Sequence, residues 1–278
     1  MVVLGIDIGG HTIKAGIVNN NGKIIKKYVI ETETNKGKEK VLQNINGLID
    51  LITKNNPEIK KIGIGFPGTI DKKGNVKYSP NIPFSNINLK KELKTTKKLF
   101  FGNDADNFAL GTYTLELKQK YKNIIALTLG TGIGSGVIVE GKLFSHNGAP
   151  ELGHTTIKFD SNKSKCCNNN GCLESFIGTK NLDEEPKETY KKAIKGDKIA
   201  LKKFQKYGKY LGIAISNFAN IFNPELIILG GEVSNAYPFF KKSMEKEIKI
   251  RALFMTKVIK SKINDKGIIG AAALCFKE

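Results

Sequence analysis

Apolar residues fall in short runs whose period changes along the chain, and the runs predict an orderly succession of strands and helices. Residues 1–8 form a nearly continuous apolar run, as expected of a strand buried on both faces. Residues 12–18 and 24–30 read as two more strands, joined by Asn19-Asn20-Asn21-Gly22, a strong hairpin turn. Over 37–54 the period lengthens: Val41, Ile45, Leu48, Ile49 and Ile52 recur at helical spacing. A strand from 61 to 66 ends at Pro67-Gly68, and a loop rich in proline and asparagine follows around Pro80-Asn81-Ile82-Pro83. Residues 99–102 predict a short strand and 104–120 a helix.

The pattern then begins again. Residues 123–129 predict a strand, a glycine-rich turn follows, and 136–139 and 142–145 predict two more strands around Glu140-Gly141. The segments Ile6-Asp7-Ile8-Gly9-Gly10…Gly22-Lys23-Ile24 and Thr128-Leu129-Gly130-Thr131-Gly132…Gly141-Lys142-Leu143 share one layout of strand, glycine turn, strand, turn, strand. Helices are expected at about 186–203, 204–222 and 236–248, strands at 226–229 and about 255–259, and a last apolar helix over 267–276. The repeat predicts an α/β chain of two domains with related topology on either side of a cleft. The expected division is 1–108 plus 262–278 for a smaller N-terminal domain and 109–261 for a larger C-terminal one.

Composition narrows the class. With 278 residues, 40% hydrophobic and 26% charged, the chain has the make-up of an ordinary water-soluble protein. No apolar run reaches the ~20 residues of a membrane span. Met1 leads straight into a strand rather than a basic, then apolar, leader, so the chain reads as cytosolic with no membrane partner. The formal net charge of +19 admits two readings: a solubilising lysine surface, or a field that draws in an anionic substrate such as a nucleotide. Nucleic acid is not the expected partner. Arg251 is the sole arginine and tryptophan is absent.

The candidate chemistry sits at the strand ends. A glycine after a strand lets backbone N–H groups close on an anion. Such turns stand at Gly9-Gly10, Gly130-Thr131-Gly132-Ile133-Gly134 and Gly230-Gly231. Asp7, two residues before the first, is either a hairpin cap or a carboxylate that holds magnesium beside a phosphate. Asn103-Asp104 ends a strand and opens a helix, so Asp104 is either an N-cap or a base for a substrate hydroxyl. The turn at 130–134 is followed by a strand pattern, which excludes the dinucleotide-binding fingerprint. His154 with Cys166, Cys167 and Cys172 makes a Cys3His set, enough for a closed structural zinc site. The alternative is three free thiols and a surface histidine.

Together these segments resemble the ROK family of sugar kinases and repressors, over nearly the whole chain. The likeness rests on Asp7, Gly9 and Gly10; on Asn103-Asp104; on the 130–136 turn; on Glu151-Leu152-Gly153-His154; on Gly171-Cys172-Leu173-Glu174; and on Asn223-Pro224-Glu225 with Gly230-Gly231. It implies the two-domain actin-like, ribonuclease-H-like ATPase fold and an ATP-dependent hexose kinase. Glucose is the first expected substrate; N-acetylmannosamine, N-acetylglucosamine and fructose are alternatives. A non-catalytic sugar-sensing regulator is the alternative of another class, and the early position of Asp7 counts against it. The resemblance implies Asp104 as general base, with Gly68, Asn81, Asn103, Glu151, His154 and Glu174 on the sugar. It implies Asp7, Gly9, Gly10, Thr12, Gly130, Thr131, Gly132, Gly134, Gly230 and Gly231 on ATP and Mg2+. It also implies structural Zn2+ on the His/Cys set and a homodimer. The chain departs from the family in several places. His11 stands where a threonine usually follows the double glycine, and Pro150 where a glycine usually precedes Glu151. Lys165 stands where the first cysteine of the cysteine motif is usual, with Cys166 one place along, and Asn168 where that motif has glycine. The stretch near 180–190 is shortened by about a helix.

Overall fold

The computed structural model describes residues 1–79, 81–145, 149–161, 167, 170–179 and 186–276. The chain divides into two compact units, one of Met1–Lys120, Leu143–Ala149 and Lys262–Glu278, the other of Tyr121–Lys142 and Pro150–Ser261.

The first unit is built on strands β1 (Val2–Ile8), β2 (Thr12–Asn19), β3 (Ile24–Glu31), β4 (Lys61–Phe66) and β8 (Lys98–Asn103), in the order β3-β2-β1-β4-β8. The β1-β2-β3 meander is antiparallel; β4 and β8 add parallel to β1. Helix α1 (Lys38–Asn55) lays Val41, Ile45, Leu48, Ile49 and Ile52 into a core with Ile6, Ile8, Ile62 and Ile64. The C-terminal helix α8 (Lys266–Ala273) joins a second, smaller core with Val3 and Val18. Its approach is close enough to require glycine in the strands. A Cβ on Gly63 would stand 1.8 Å from the Ala271 carbonyl oxygen, and one on Gly5 2.3 Å from that of Ile268. The stretch expected as loop contains a small antiparallel sheet of β5 (Thr69–Ile70), β6 (Asn75–Tyr78) and β7 (Ser85–Asn88), followed by a single turn of helix, α2 (Leu89–Glu92). These strands are too short and polar for a period to show.

The second unit repeats the plan. Strands β9 (Ile124–Leu129), β10 (Ile133–Val139), β11 (Lys142–Leu143), β12 (Leu226–Gly230) and β13 (Lys257–Lys260) run in the order β11-β10-β9-β12-β13, again an antiparallel hairpin followed by two parallel strands. Helices α4 (Leu173–Ile177), α5 (Pro186–Ile194), α6 (Lys198–Phe222) and α7 (Tyr237–Arg251) complete it. Leu211, Ile215 and Phe218 of α6 meet Phe240, Met244 and Ile248 of α7 in the core over Ile227 and Leu229.

Two helices differ from expectation. The one expected over 104–120 is α3 (Asp104–Gly111) followed by a π-type turn at Thr112–Glu116, and it ends where Lys118 and Gln119 take left-handed backbone. Thr112 and Thr114 give their hydroxyls to carbonyls four residues back, a bond that competes with regular helix geometry. The break expected near 203 lies instead at Gly196-Asp197. Gly196 is left-handed at φ 81°, and the Asp197 carboxylate caps the Ala200 N–H at 2.7 Å. Among the described residues no helix is long and apolar enough to cross a membrane.

Candidate active site

In the first unit the site grows from the C-terminal ends of the parallel strands. Asp7 lies at the end of β1, half-buried. A Cβ on Gly267, in the first turn of α8, would stand 2.0 Å from its Oδ2, so only glycine lets the helix start against this carboxylate. Periodicity in the sequence marks α8 as apolar but gives no sign of that approach. Burial first, then the negative charges of Asp104 and Asp265, lift the Asp7 carboxyl to about 6; Lys14 opposes them.

Asn103 ends β8 and caps α3. Its Oδ1 accepts the Ala105 N–H at 2.8 Å, and its Nδ2 donates to the Gly68 carbonyl at 3.0 Å. The cap is therefore Asn103. Asp104 is the first helical residue, exposed, with Oδ1 accepting its neighbour's N–H at 2.9 Å. Gly68 holds φ 125°, and its ideal Cβ would clash with the Tyr78 carbonyl at 2.4 Å. Asn81 packs on the Gly10 turn, 3.0 Å from where a Gly10 Cβ would be. Asp7, Gly10, Gly68, Asn81, Asn103 and Asp104 thus form one group in this unit. Thr12 opens β2, and its carbonyl accepts the Gly9 N–H at 3.0 Å. His11 is exposed. Two residues not singled out in the sequence reach this turn: Thr32 donates its hydroxyl to the Gly9 carbonyl and Thr34 to that of Gly10.

In the second unit Gly130, Thr131, Thr179, Pro186, Lys187, Glu232 and Val233 line a cleft of about 300 Å3. The cleft joins the 130–134 turn to the segment just after Gly230-Gly231. Thr131 is exposed, and a Cβ on Gly130 would meet nothing within 4 Å, so this edge of the turn is open. Gly132 faces a different constraint, since its Cβ would stand 2.5 Å from Glu174 Oε2. Glu174 is buried, and the same oxygen accepts the Ile133 N–H at 2.7 Å, which braces the turn from beneath. Gly134 lies within β10, Gly230 ends β12, and Gly231 is left-handed at φ 78° against the Leu129 backbone. Lys187 and Glu232 pair at 3.1 Å across the cleft's lining; neither stands out in the sequence, where a lone lysine and glutamate carry no signal.

His154, Cys167 and Cys172 bring one ligand atom each within 4.8 Å of one another, and the two sulfurs lie 3.6 Å apart. A nitrogen and two sulfurs at this spacing fit a zinc-type donor set. Cys166 lies outside the described residues. Glu151 is exposed, with Oε2 3.9 Å from His154 Nε2.

Comparison with known proteins matches the ROK family model over residues 3–278. A glucokinase of Thermotoga maritima is 35% identical over 308 aligned residues, covering 98% of this chain and 96% of its own. A xylose repressor of Caldicellulosiruptor bescii is 29% identical, with 99% of this chain and 78% of its own covered. Among solved structures, a ROK glucokinase from Streptomyces griseus in complex with glucose and AMPPNP superposes with a TM-score of 0.84 at 25% identity, covering 99% of both chains. The duplicated strand order, the family match and this structural likeness agree on the two-domain actin-like ATPase fold, and the chain belongs to the ROK family.

Proposed function

We propose that this ROK-family sugar kinase transfers the γ-phosphoryl group of ATP to a hexose, glucose first, with Asp104 as general base. The observation that carries the reading is the pair of carboxylates at the ends of β1 and β8: exposed Asp104 stands near enough to lift the pKa of Asp7. The two have different work. Asp104 faces solvent at a helix start, where it can take the proton of a sugar hydroxyl as that oxygen bonds to the γ-phosphorus. The bond from phosphorus to the β–γ bridging oxygen breaks, and ADP leaves with its electron pair. Asp7 would hold Mg2+, directly or through water; two neighbouring carboxylates offer the oxygen donors that such an ion takes. When bound, the ion neutralises phosphate charge.

On this reading the open edge of the 130–134 turn and its cleft take the nucleotide. Asn103, Gly68 and Asn81 are proposed sugar contacts, as are Glu151 and His154. Glu174 acts through the 130–134 turn that it braces. Zinc on His154, Cys167 and Cys172 would be structural, fixing the imidazole beside Glu151, with no part in phosphoryl transfer. The relatives include both a glucokinase and a xylose repressor, so turnover is the discriminating measurement. A coupled ADP-release assay with glucose, fructose, N-acetylglucosamine and N-acetylmannosamine tests the proposal. Glucose-dependent turnover is expected, and binding of hexose without ADP release from any of the four would overturn it.

A further inference from the structure

The turn after β1 lacks the threonine usual in its family, yet it is held by hydroxyls supplied from elsewhere. Thr32 has no exposed surface and donates its Oγ1 to the Gly9 carbonyl at 2.6 Å. Thr34, half-buried, donates to the Gly10 carbonyl at 3.2 Å. The Thr32 N–H also donates to the His11 carbonyl at 2.9 Å. Three successive carbonyls of the turn, those of Gly9, Gly10 and His11, are thus drawn toward one segment, residues 32–34.

The peptide plane turns this into a statement about the amides. Among the described residues no peptide bond is cis, and in a trans peptide the C=O of one residue and the N–H of the next point in opposite directions. With the Gly9 and Gly10 carbonyls facing Thr32 and Thr34, the N–H groups of Gly10 and His11 are aimed away from that segment. The Gly9 N–H is already given to the Thr12 carbonyl. Two consecutive amides aimed the same way are the elements of an anion nest. Neither could turn over without breaking a threonine bond. The clamping segment is itself anchored: Asn44 of α1 donates Nδ2 to Glu33 Oε2 at 3.0 Å and to the Glu31 carbonyl at 3.3 Å, while Lys36 and Lys40 pair with Glu33.

We propose that Thr32, seconded by Thr34, is the positioning residue of the phosphate turn, holding the Gly10 and His11 amides toward the terminal phosphate of ATP. The inference rests on the kinase reading above. It assigns to two threonines more than 20 residues downstream the orientation that the sequence leaves unassigned at position 11.

The test is steady-state kinetics with MgATP and the best hexose of the panel. Thr32→Val keeps the shape and removes the donor. The KM for MgATP should rise roughly ten-fold or more and kcat fall comparably, with hexose KM within about two-fold, because phosphate alignment rather than sugar binding is lost. Thr32→Ser, which restores the hydroxyl, should return both constants to within about three-fold of wild type. Thr34→Val, at a half-buried position with the longer bond, serves should Thr32→Val not fold; it should raise the KM for MgATP about two- to five-fold. Wild-type constants in whichever valine variant folds would overturn the clamp. So would a serine variant as impaired as valine, which would assign the effect to packing. Failure of the kinase reading is separately visible, as a wild-type chain that turns over no hexose.

Discussion

At the residue scale, two aspartates in similar places are predicted to behave differently. Asp104→Asn preserves volume and the bond to its own helix N–H but cannot accept a proton. It should lower kcat by ~10²–10⁴ with sugar affinity little changed, since general-base loss spares ground-state binding. Near-normal turnover of the folded variant would remove Asp104 from the chemistry. Asp7 is instead held in an environment that resists its charge, with a carboxyl at about 6 against an ordinary 3.8. The folded chain therefore binds this proton more tightly than the unfolded chain. Asp7 stabilises the fold, relative to neutral pH, when protonated, and that contribution is lost as pH rises from about 4 through 6. The difference corresponds to at most ~3 kcal/mol, less for a half-buried group. In the absence of nucleotide and Mg2+, Asp7→Asn should melt about 2–5 °C above wild type at pH 7.5 and level with it near pH 4. Thermal melts at both pH values check this, and equal melting at pH 7.5 would show the site tolerates the charge. The sequence shows a carboxylate before two glycines; it does not show Gly267 approaching from 260 residues away, and that approach is what buries the carboxylate.

At the element scale, what could be read in advance followed from how much each element buries. β1, β4, β9 and β12 are buried on both faces and appear as apolar runs; α1 buries a single stripe and appears as a helical period. The small sheet at 69–88 mixes short strands with exposed polar residues and leaves no such trace. The π-type turn after α3 could not be read, because it depends on which carbonyl each threonine hydroxyl selects. The Gly196-Asp197 break was written in the sequence as a left-handed glycine followed by an N-cap, and apolar period alone passes over it. The loop that carries His154 and Cys167 and leads into α4 makes a prediction of its own. Among the described residues, Leu173 N–H to the Thr155 carbonyl and Ile157 N–H to that of Gly171 tie its two arms. A metal ion on His154, Cys167 and Cys172 would add a cross-link, and its binding energy would be folding energy. Protein purified without added metal should contain about one zinc per chain. Cys172→Ser should lower both the metal content and the affinity for sugar. Zinc below about 0.2 per chain, with full activity in chelator, would leave the thiols as packing residues.

At the scale of the whole molecule, the repeated strand order was legible because both copies keep the same punctuation, a glycine turn after the first strand and a second turn before the third. The net charge of +19 is a second property of the whole chain, and it bears on only one of the two proposed substrates. MgATP is an anion and a hexose is neutral, so a positive field assists the first and ignores the second. Screening acts over a Debye length that shortens from about 10 Å at 0.1 M salt to about 3 Å at 1 M. Raising sodium chloride from about 50 mM to 500 mM should therefore lift the KM for MgATP about three-fold or more, with hexose KM within about 1.5-fold. Potassium glutamate at matched ionic strength controls for chloride competing at the phosphate turns. If both salts act equally, the effect is the field of the whole surface; if chloride alone acts, it is local to the turns. A KM for MgATP that ignores both salts would assign the lysines to solubility and leave nucleotide capture to the glycine turns and Asp7.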